Sequence, residues 1–158
     1  MSAAKRRQYR IIGKILFVIY IGFVFYFLLI SEIYGRTGEM KEYHYNLVLF
    51  QEIMRFWKYR EQLGIFPVFA NLAGNILIFI PFGFFDPMSS KRRSIVATTI
   101  GAFLLCLSIE TIQLFAKVGC FDVDDLLLNT IGGVVGYIIF TISNCIRRNY
   151  GKKRRKRS

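Results

Sequence analysis

Residues 94–116 read SIVATTIGAFLLCLSIETIQLFA, and this stretch decides the fold class. At about 1.5 Å of rise per residue, a helix of this length crosses a hydrocarbon core of roughly 30 Å. Glu110 is its only carboxylate, and it contains no Lys or Arg. A surface helix of a globular protein would carry a charged or polar face, which this stretch lacks. It therefore predicts a transmembrane helix.

Three further stretches are similarly long and apolar: residues 11–30, 65–85 and 126–146. Lys14 is the only charged residue among them. We therefore predict an all-α fold, a polytopic membrane helix bundle with four transmembrane helices and an extracytoplasmic amphipathic segment. The chain divides into a basic cytoplasmic N-terminus (1–10), a membrane domain (11–146) and a basic cytoplasmic tail (147–158).

Composition excludes several other classes of protein. Of the 158 residues, 54% are hydrophobic, which is incompatible with intrinsic disorder, and three cysteines are too few for a disulfide-built scaffold. The formal net charge of +12 would suit a nucleic-acid binder. However, the basic residues are concentrated at the chain ends and in one short loop, without the repeated aromatic interleaving or the folded reader module of a nucleic-acid binder. We therefore expect no nucleic-acid partner.

The distribution of basic residues also predicts the orientation. Most of the 22 Lys and Arg residues fall in segments 5–14, 91–93 and 147–157. Four crossings put these three segments on one side, and positively charged flanks are typical of the cytoplasmic side. Both termini are then cytoplasmic. The first apolar stretch is too long for a signal peptide and no small-residue cleavage site follows it, so we interpret it as an uncleaved anchor.

The segment between the first two spans, residues 31–64, has balanced charge. Leu47, Phe50, Met54 and Trp57 recur in it at helical spacing, opposite charged residues. Two interpretations remain open: a helix in the headgroup layer of the membrane, or a helix whose apolar stripe packs against the spans.

Polar side chains inside the spans are costly and should face protein or water. Helical spacing puts three pairs each on one face: Asn71 with Asn75, Glu110 with Gln113, and Asp125 with Asn129. With alternating span directions these pairs, and Asp122 beside them, share one level in the outer third of the bilayer. Gly132 and Gly136 continue the last face as a small-xxx-small pattern, which predicts close helix packing.

The resulting hypothesis is an outward-facing polar pocket. Its ligand-binding residues would be Asn71, Asn75, Glu110, Gln113, Asp122, Asp125 and Asn129. Lys117 is the only basic residue in the adjoining connection, so amide donors, a proton, a cation or a ligand's ammonium group must compensate the carboxylates. A purely structural hydrogen-bond network and a catalytic centre with Glu110 as the candidate residue are the alternatives. We expect no cofactor and assign no metal ligands.

The combined motifs resemble the VanZ-like family of bacterial membrane proteins, over residues 45 to 140. The matching positions are Asn46, Leu47, Phe50, Asn71 to Asn75, Phe79, Pro81, Gly83, Glu110, Gln113, Phe121, Asp122, Asp125, Asn129, Gly132 and Gly136. The chain differs from the family at Leu49, where proline is common. It also lacks the arginine that often precedes the first aspartate.

This resemblance implies a protein of the bacterial cytoplasmic membrane that is linked to resistance against teicoplanin-type glycopeptides. The expected partners are the lipid bilayer and an envelope lipid, a lipid-linked cell-wall precursor or the lipoglycopeptide itself. The alternatives are an integral membrane hydrolase or transferase acting on a lipid-linked substrate, and a small proton-coupled transporter. The sequence does not decide whether a reaction is catalysed, although binding is favoured, and it does not predict the oligomeric state.

Overall fold

A computed structural model describes residues 3–29, 43–91 and 93–155; the side chains of residues 3, 6, 63, 65–71 and 149–155 are outside that description. Helices dominate, and one small parallel pair of strands joins two connections. In chain order the elements are α1 (Ala3–Leu29), β1 (Tyr45–Asn46), α2 (Gln51–Lys58), α3 (Arg60–Leu63), α4 (Ile65–Ser89), α5 (Ile95–Phe115), β2 (Phe121–Asp122) and α6 (Val123–Arg155).

Four of the helices are long and apolar enough to cross a membrane. Their candidate spans are Arg7–Leu29, Leu72–Ser89, Ile95–Phe115 and Val123–Arg148. This confirms the predicted all-α fold with four membrane helices, and the chain is a membrane protein.

The helices extend beyond the apolar stretches that define the spans. Helix α1 begins at Ala3 and α6 continues to Arg155, so the basic flanks are helical as well. Helix α4 runs through Pro81 and Pro87 to Ser89, whereas the apolar pattern puts Pro81 near its end. A proline costs less in a packed membrane helix than in water, because neighbouring groups compensate the lost hydrogen bond.

The core lies where the four long helices meet. Tyr20 and Val24 of α1 contribute to it, and the Tyr20 hydroxyl donates a 2.8 Å hydrogen bond to the Ile78 carbonyl of α4. The other buried members are Leu28, Phe79, Phe82, Ala102, Cys106, Ile109 and Leu126. A buried tyrosine hydroxyl needs such a partner, so Tyr20 also fixes α1 against α4.

Helices α4 and α6 approach each other most closely through glycines. A Cβ atom built on Gly132 would lie 2.2 Å from the Ile76 carbonyl oxygen, and one on Gly136 would lie 2.0 Å from that of Ile80. On the opposite helix, a Cβ on Gly83 would lie 1.9 Å from the Gly133 oxygen. The two backbones are therefore in contact, as small residues allow in membrane helix pairs.

The bundle has a basic end, where the start of α1 and the end of α6 lie near the α4–α5 loop. The Arg147 guanidinium lies 4.0 Å from the ring centroid of Tyr9, which joins the last helix to the first. The Tyr137 hydroxyl donates to the Arg93 carbonyl, and the Arg93 guanidinium stacks on Phe140. The opposite end, which we call the polar end, contains the start of α4, the end of α5 and the start of α6.

Candidate functional site

Carboxylates and amides from separate parts of the chain meet at the polar end. The two-residue strands bring them together, because β1 pairs with β2 in the register Tyr45 to Phe121 and Asn46 to Asp122. The Phe121 N–H donates to the His44 carbonyl at 3.1 Å, which continues this ladder. We call the group at this end the polar cluster; it contains Asn46, Asn75, Glu110, Asp122, Asp124, Asp125 and Asn129.

Asp122 links three of these elements. Its Oδ1 accepts hydrogen bonds from Asn46 Nδ2 at 3.1 Å and from the backbone N–H of Asp124 at 2.8 Å. The second bond caps the start of α6 in the way that an N-cap aspartate does. The backbone N–H of Asp122 donates to Glu110 Oε2 at 3.1 Å. Strand β1, helix α5 and helix α6 are thus joined at one residue.

Asp124 holds residues 43–64, the described part of the connection between α1 and α4, onto the bundle; we call these residues the connecting segment. Its Oδ2 accepts from the backbone N–H groups of Glu52 and Ile53 at 2.9 and 3.2 Å, and its Oδ1 accepts from that of Phe50. Phe50 is the N-cap of α2 and has no side-chain acceptor to offer. Asp124 therefore supplies the acceptor that an N-cap Ser, Thr or Asp would otherwise provide.

Helices α4, α5 and α6 are joined further along α6, at Asp125 and Asn129. Asn75 Nδ2 donates to Asp125 Oδ1, and Asn129 Nδ2 donates to the Cys106 sulfur at 3.0 Å. The Cys106 thiol contacts the Asp125 carbonyl oxygen at 3.8 Å. Asn129 Oδ1 is buried and has no hydrogen-bond partner within the part of the chain that the structure describes.

The predicted site residues are not all in this network. Gln113 is buried, but its Nε2 donates to the Leu28 carbonyl at 2.7 Å, so it joins α5 to α1. Asn71 lies in α4, and its side chain is outside the described part of the structure. Of the seven ligand-binding residues proposed from sequence, five are in the polar cluster: Asn75, Glu110, Asp122, Asp125 and Asn129.

The polar cluster is deeply buried for a group of this polarity. Glu110 is 4% exposed, Asp122 is 7% exposed and Asp124 is 1% exposed, whereas Asp125 is half-buried. In the described residues, the ion pairs of Glu52 with Arg55 and of Glu61 with Arg60 involve none of the three aspartates. Burying a charge costs free energy unless donors replace water, and backbone and amide N–H groups take that role here.

Burial also changes proton affinity at the edge of the cluster. Loss of water raises the pKa of Asp122 above its ordinary value, although the Asp124 N–H and the Asn46 amide act in the opposite direction. The pKa of Glu52 is also raised, mainly by burial, and the Arg55 guanidinium reduces this effect. Both carboxyl groups therefore bind a proton more tightly in the folded protein than in an unfolded chain.

We expect the stability of wild-type protein to fall as pH rises above about 4, the ordinary pKa of a carboxyl group. A raised folded-state pKa stabilises the fold below the unfolded-state value, and this contribution is lost as pH rises through the folded-state value. Asp122→Asn should flatten the dependence, because an asparagine Oδ1 can still accept both hydrogen bonds. Melting temperatures of both proteins in one detergent, from about pH 4.5 to about pH 7.5, measure this. If the melting temperatures of the two proteins change equally with pH, the raised pKa of Asp122 does not contribute to stability.

The chemistry available to the cluster is hydrogen bonding and charge compensation. Among residues 3–29, 43–91 and 93–155, no three His, Cys, Asp or Glu side chains form a group that could hold a metal ion. Glu110 remains the candidate acid or base. Its Oε2 accepts a hydrogen bond from the backbone N–H of Asp122. Carboxylates with amide neighbours also suit an ammonium group or other cation.

Sequence reasoning missed the roles of two residues. The first is Asp124, which is not among the ligand-binding residues predicted from the sequence. Its partners are the amides of α2, more than 70 positions away in the chain. The sequence does contain one signal of this role. Phe50 precedes an amphipathic helix and cannot cap it, so the first N–H groups of that helix need an acceptor from elsewhere in the chain. The second is Cys106: a lone cysteine in an apolar span carries no signal of a polar role, yet its sulfur accepts from Asn129.

Comparison with known proteins gives two matches. The family model described as VanZ/LLP1 matches residues 17–144. A curated protein from Enterococcus faecium named Protein VanZ is 32% identical over 76 residues, which is 48% of this chain and 47% of that protein. The match thus spans about half the length of the relative. No solved structure gives a significant match.

Proposed function

Because this chain belongs to the VanZ/LLP1 family, we propose that it reduces the access or binding of teicoplanin-type glycopeptides at the outer face of the bacterial cytoplasmic membrane. It would do so by interacting with an envelope lipid or a lipid-linked cell-wall precursor. The similarity to the protein named VanZ supports this proposal, together with the four membrane helices. The observation that carries it is the polar cluster at one end of the bundle.

The proposed orientation has both termini in the cytoplasm. Arg93 and Arg147 lie at the basic end, together with the start of α1 and the end of α6. Cytoplasmic flanks collect positive charge, so the opposite end would face outward. The carboxylates of the polar cluster are then on the side of the membrane where glycopeptides and cell-wall precursors meet.

Each part of the cluster has a proposed role. The amides of Asn75 and Asn129 would orient a polar headgroup, and Asn129 Oδ1, which lacks a partner among the described residues, would accept from it. Glu110 and Asp125 would hold a cation or an amine of the ligand. Neutral donors inside the protein can compensate these carboxylates until the ligand arrives.

We expect Glu110→Gln and Asp125→Asn to insert normally but to abolish protection, returning teicoplanin susceptibility to that of cells without the protein. Each amide keeps an oxygen that can accept the hydrogen bond of the native carboxylate, so the fold should survive. The measurement is the inhibitory concentration in a susceptible Gram-positive host, with membrane levels determined by a C-terminal tag.

Glu61→Gln is the matched control, because Glu61 is an exposed carboxylate outside the polar cluster. It should protect as well as the wild type. If Glu110→Gln and Asp125→Asn insert normally and still protect, the cluster is not the functional site. Turnover of a lipid-linked substrate by purified protein, abolished by Glu110→Gln, would instead favour the hydrolase or transferase.

A further inference from the structure

The connecting segment presents an apolar surface that no other described part of the chain covers. Met54 is 69% exposed, Trp57 is 62% exposed and Phe50 is 47% exposed. These values approach those of Val18 and Phe115 on the candidate membrane spans, which are 69% and 72% exposed. We call this face of α2 and the preceding turn the α2 surface; its members are Leu47, Val48, Leu49, Phe50, Met54 and Trp57.

The position of the α2 surface is fixed at both ends. Asp124 accepts the first backbone N–H groups of α2, which attaches its N-terminus to the start of α6. At the other end, only α3 (Arg60–Leu63) and Gly64 separate α2 from α4. The helix therefore lies beside the start of one membrane helix and is joined to another. A bilayer whose hydrocarbon core is crossed by the four candidate spans would have its headgroup layer at this level.

The two faces of α2 differ in what covers them. Ile53 and Phe56 are half-buried on the protein side, and Glu52 on that side is only 23% exposed and pairs with Arg55 at 2.7 Å. The apolar stripe therefore does not pack against the spans, which was one of the two interpretations left open by the sequence. An exposed amphipathic helix at this level matches the other interpretation, a helix in the headgroup layer.

Two basic side chains lie among the residues that line an open, mostly apolar cleft in this surface. The cleft has a volume of about 490 Å³ and is lined by Met54, Arg55, Trp57, Lys58 and Tyr59. The Lys58 ammonium lies 5.7 Å from the Tyr59 ring centroid, and the Arg60 guanidinium lies 4.9 Å from that of Trp57. Arg60 is also 3.8 Å from Glu61, which is exposed. Cations beside aromatic rings and an apolar floor suit an anionic group that carries an apolar chain.

We propose that the α2 surface lies in the outer leaflet and that its cleft holds the phosphate headgroup of an anionic membrane phospholipid. Met54 and Trp57 contact the upper acyl chains. Lys58 compensates the phosphate charge, and Arg55, which also pairs with Glu52, adds to this compensation. This deepens the proposed function by naming a lipid class and a surface, and it rests on that function only for its link to glycopeptides. Lipid contact itself is independent of antibiotic protection.

Trp57 is the only tryptophan in the chain, so its fluorescence reports on this surface alone. The full chain is reconstituted into phosphatidylcholine bilayers containing phosphatidylglycerol. Bromine atoms are placed near the carboxyl end of the acyl chains of either lipid, at equal mole fraction. We expect brominated lipid to quench Trp57, aqueous iodide to quench it weakly, and brominated phosphatidylglycerol to quench it more strongly than brominated phosphatidylcholine.

Lys58→Glu should reduce the preference for phosphatidylglycerol by at least about fivefold, because one basic residue near an anionic surface contributes about 1 kcal/mol and the new carboxylate also repels the phosphate. Lys91→Glu is the matched control: Lys91 is an exposed lysine that adjoins the basic end. Its substitution should leave the quenching unchanged. A Lys58→Glu protein with the wild-type preference would overturn the proposal.

Three other results would also overturn it. Strong quenching by iodide without quenching by brominated lipid would mean that the α2 surface faces water. Quenching by neither would mean that protein covers Trp57, either a second copy of this chain or another partner. Equal quenching by the two lipids would exclude the anionic headgroup. If quenching shows the expected lipid contact but Glu110→Gln and Asp125→Asn still protect against teicoplanin, only the proposed function is contradicted. If these variants lose protection but quenching shows no lipid contact, only this inference is contradicted.

Discussion

Replacing Gly136 by alanine is expected to be among the most destabilising single-methyl changes in this protein. The new Cβ would lie 2.0 Å from the Ile80 carbonyl oxygen and 2.9 Å from its carbon. Backbone atoms of a membrane helix cannot rotate away as a flexible side chain can, so α4 and α6 must move apart. Overpacking of this kind costs about 1 to 3 kcal/mol, and a backbone clash should reach the upper part of that range.

The same separation should reach the polar cluster. Asn75 adjoins Ile76, whose carbonyl faces Gly132, and its amide donates to Asp125 on α6. Moving the helices apart lengthens this hydrogen bond, so Gly136→Ala should lower protection against teicoplanin as well as stability. The measurement is the free energy of unfolding in detergent, together with the inhibitory concentration at equal membrane level.

Gly22 and Gly74 provide matched controls in α1 and α4. A Cβ atom on either would have no atom within 4 Å. Alanine is a better helix former than glycine by roughly 0.5 to 1 kcal/mol, so Gly22→Ala and Gly74→Ala should leave stability unchanged or slightly increased. A Gly136→Ala protein as stable as these two controls would contradict the close packing of α4 against α6.

The second large effect is expected for Asp124→Ala. Removing this carboxylate deprives the N–H groups of Phe50, Glu52 and Ile53 of their acceptor. Hydrogen bonds to charged groups contribute about 1.5 to 3 kcal/mol each, but water can replace part of this at the half-exposed start of α2. We expect the connecting segment to lose about 2 to 3 kcal/mol of local stability, while the four long helices remain folded.

Backbone strain at Phe50 adds to this effect. Its φ of 65° lies in the left-handed region, which a bulky residue adopts only when surrounding contacts hold it there. Without Asp124 the strain is released by undocking of the segment. Hydrogen exchange measures the result directly: the amides of Phe50, Glu52 and Ile53 should exchange much faster, and amides in the middle of α5 should not change.

Asp124→Asn tests the same contact with less disruption. Asparagine keeps one acceptor oxygen, so protection from exchange should be intermediate between wild type and Asp124→Ala. Glu61→Gln serves as the control, since Glu61 makes no contact with Asp124 among the described residues and is exposed. Unchanged exchange at all three amides in Asp124→Ala would show that another group holds the segment.

The polar cluster shows what helical spacing can predict: which side chains share a helix face, but not which neighbours they contact. It correctly puts Asp125 and Asn129 on one face of α6, because positions four apart along a helix differ by about 40° in direction. The same reasoning groups Glu110 with Gln113, yet Gln113 bonds to Leu28 of α1 and Glu110 to β2. Two residues on one face of a buried helix can meet different neighbours, and spacing within one helix says nothing about those neighbours.

Helical spacing has a similar limit for α2, because it does not predict what covers the apolar stripe. Its apolar stripe is visible in the sequence, but the stripe fits lipid and protein equally well. Only the docking of α2 through Asp124 shows which side faces the bundle. The exposure of Met54 and Trp57 follows from that contact.

By itself, the sequence determined the four membrane helices and the separation of the basic flanks from the polar stretches, which lie at opposite ends of the spans. These properties follow from the transfer of each segment between water and lipid, which depends on local composition alone. Tertiary structure alone decided which donors meet the buried carboxylates, and that Asp124 rather than Gln113 belongs with them. Those pairings join residues far apart in the chain through helix packing and strand register, so no local pattern encodes them.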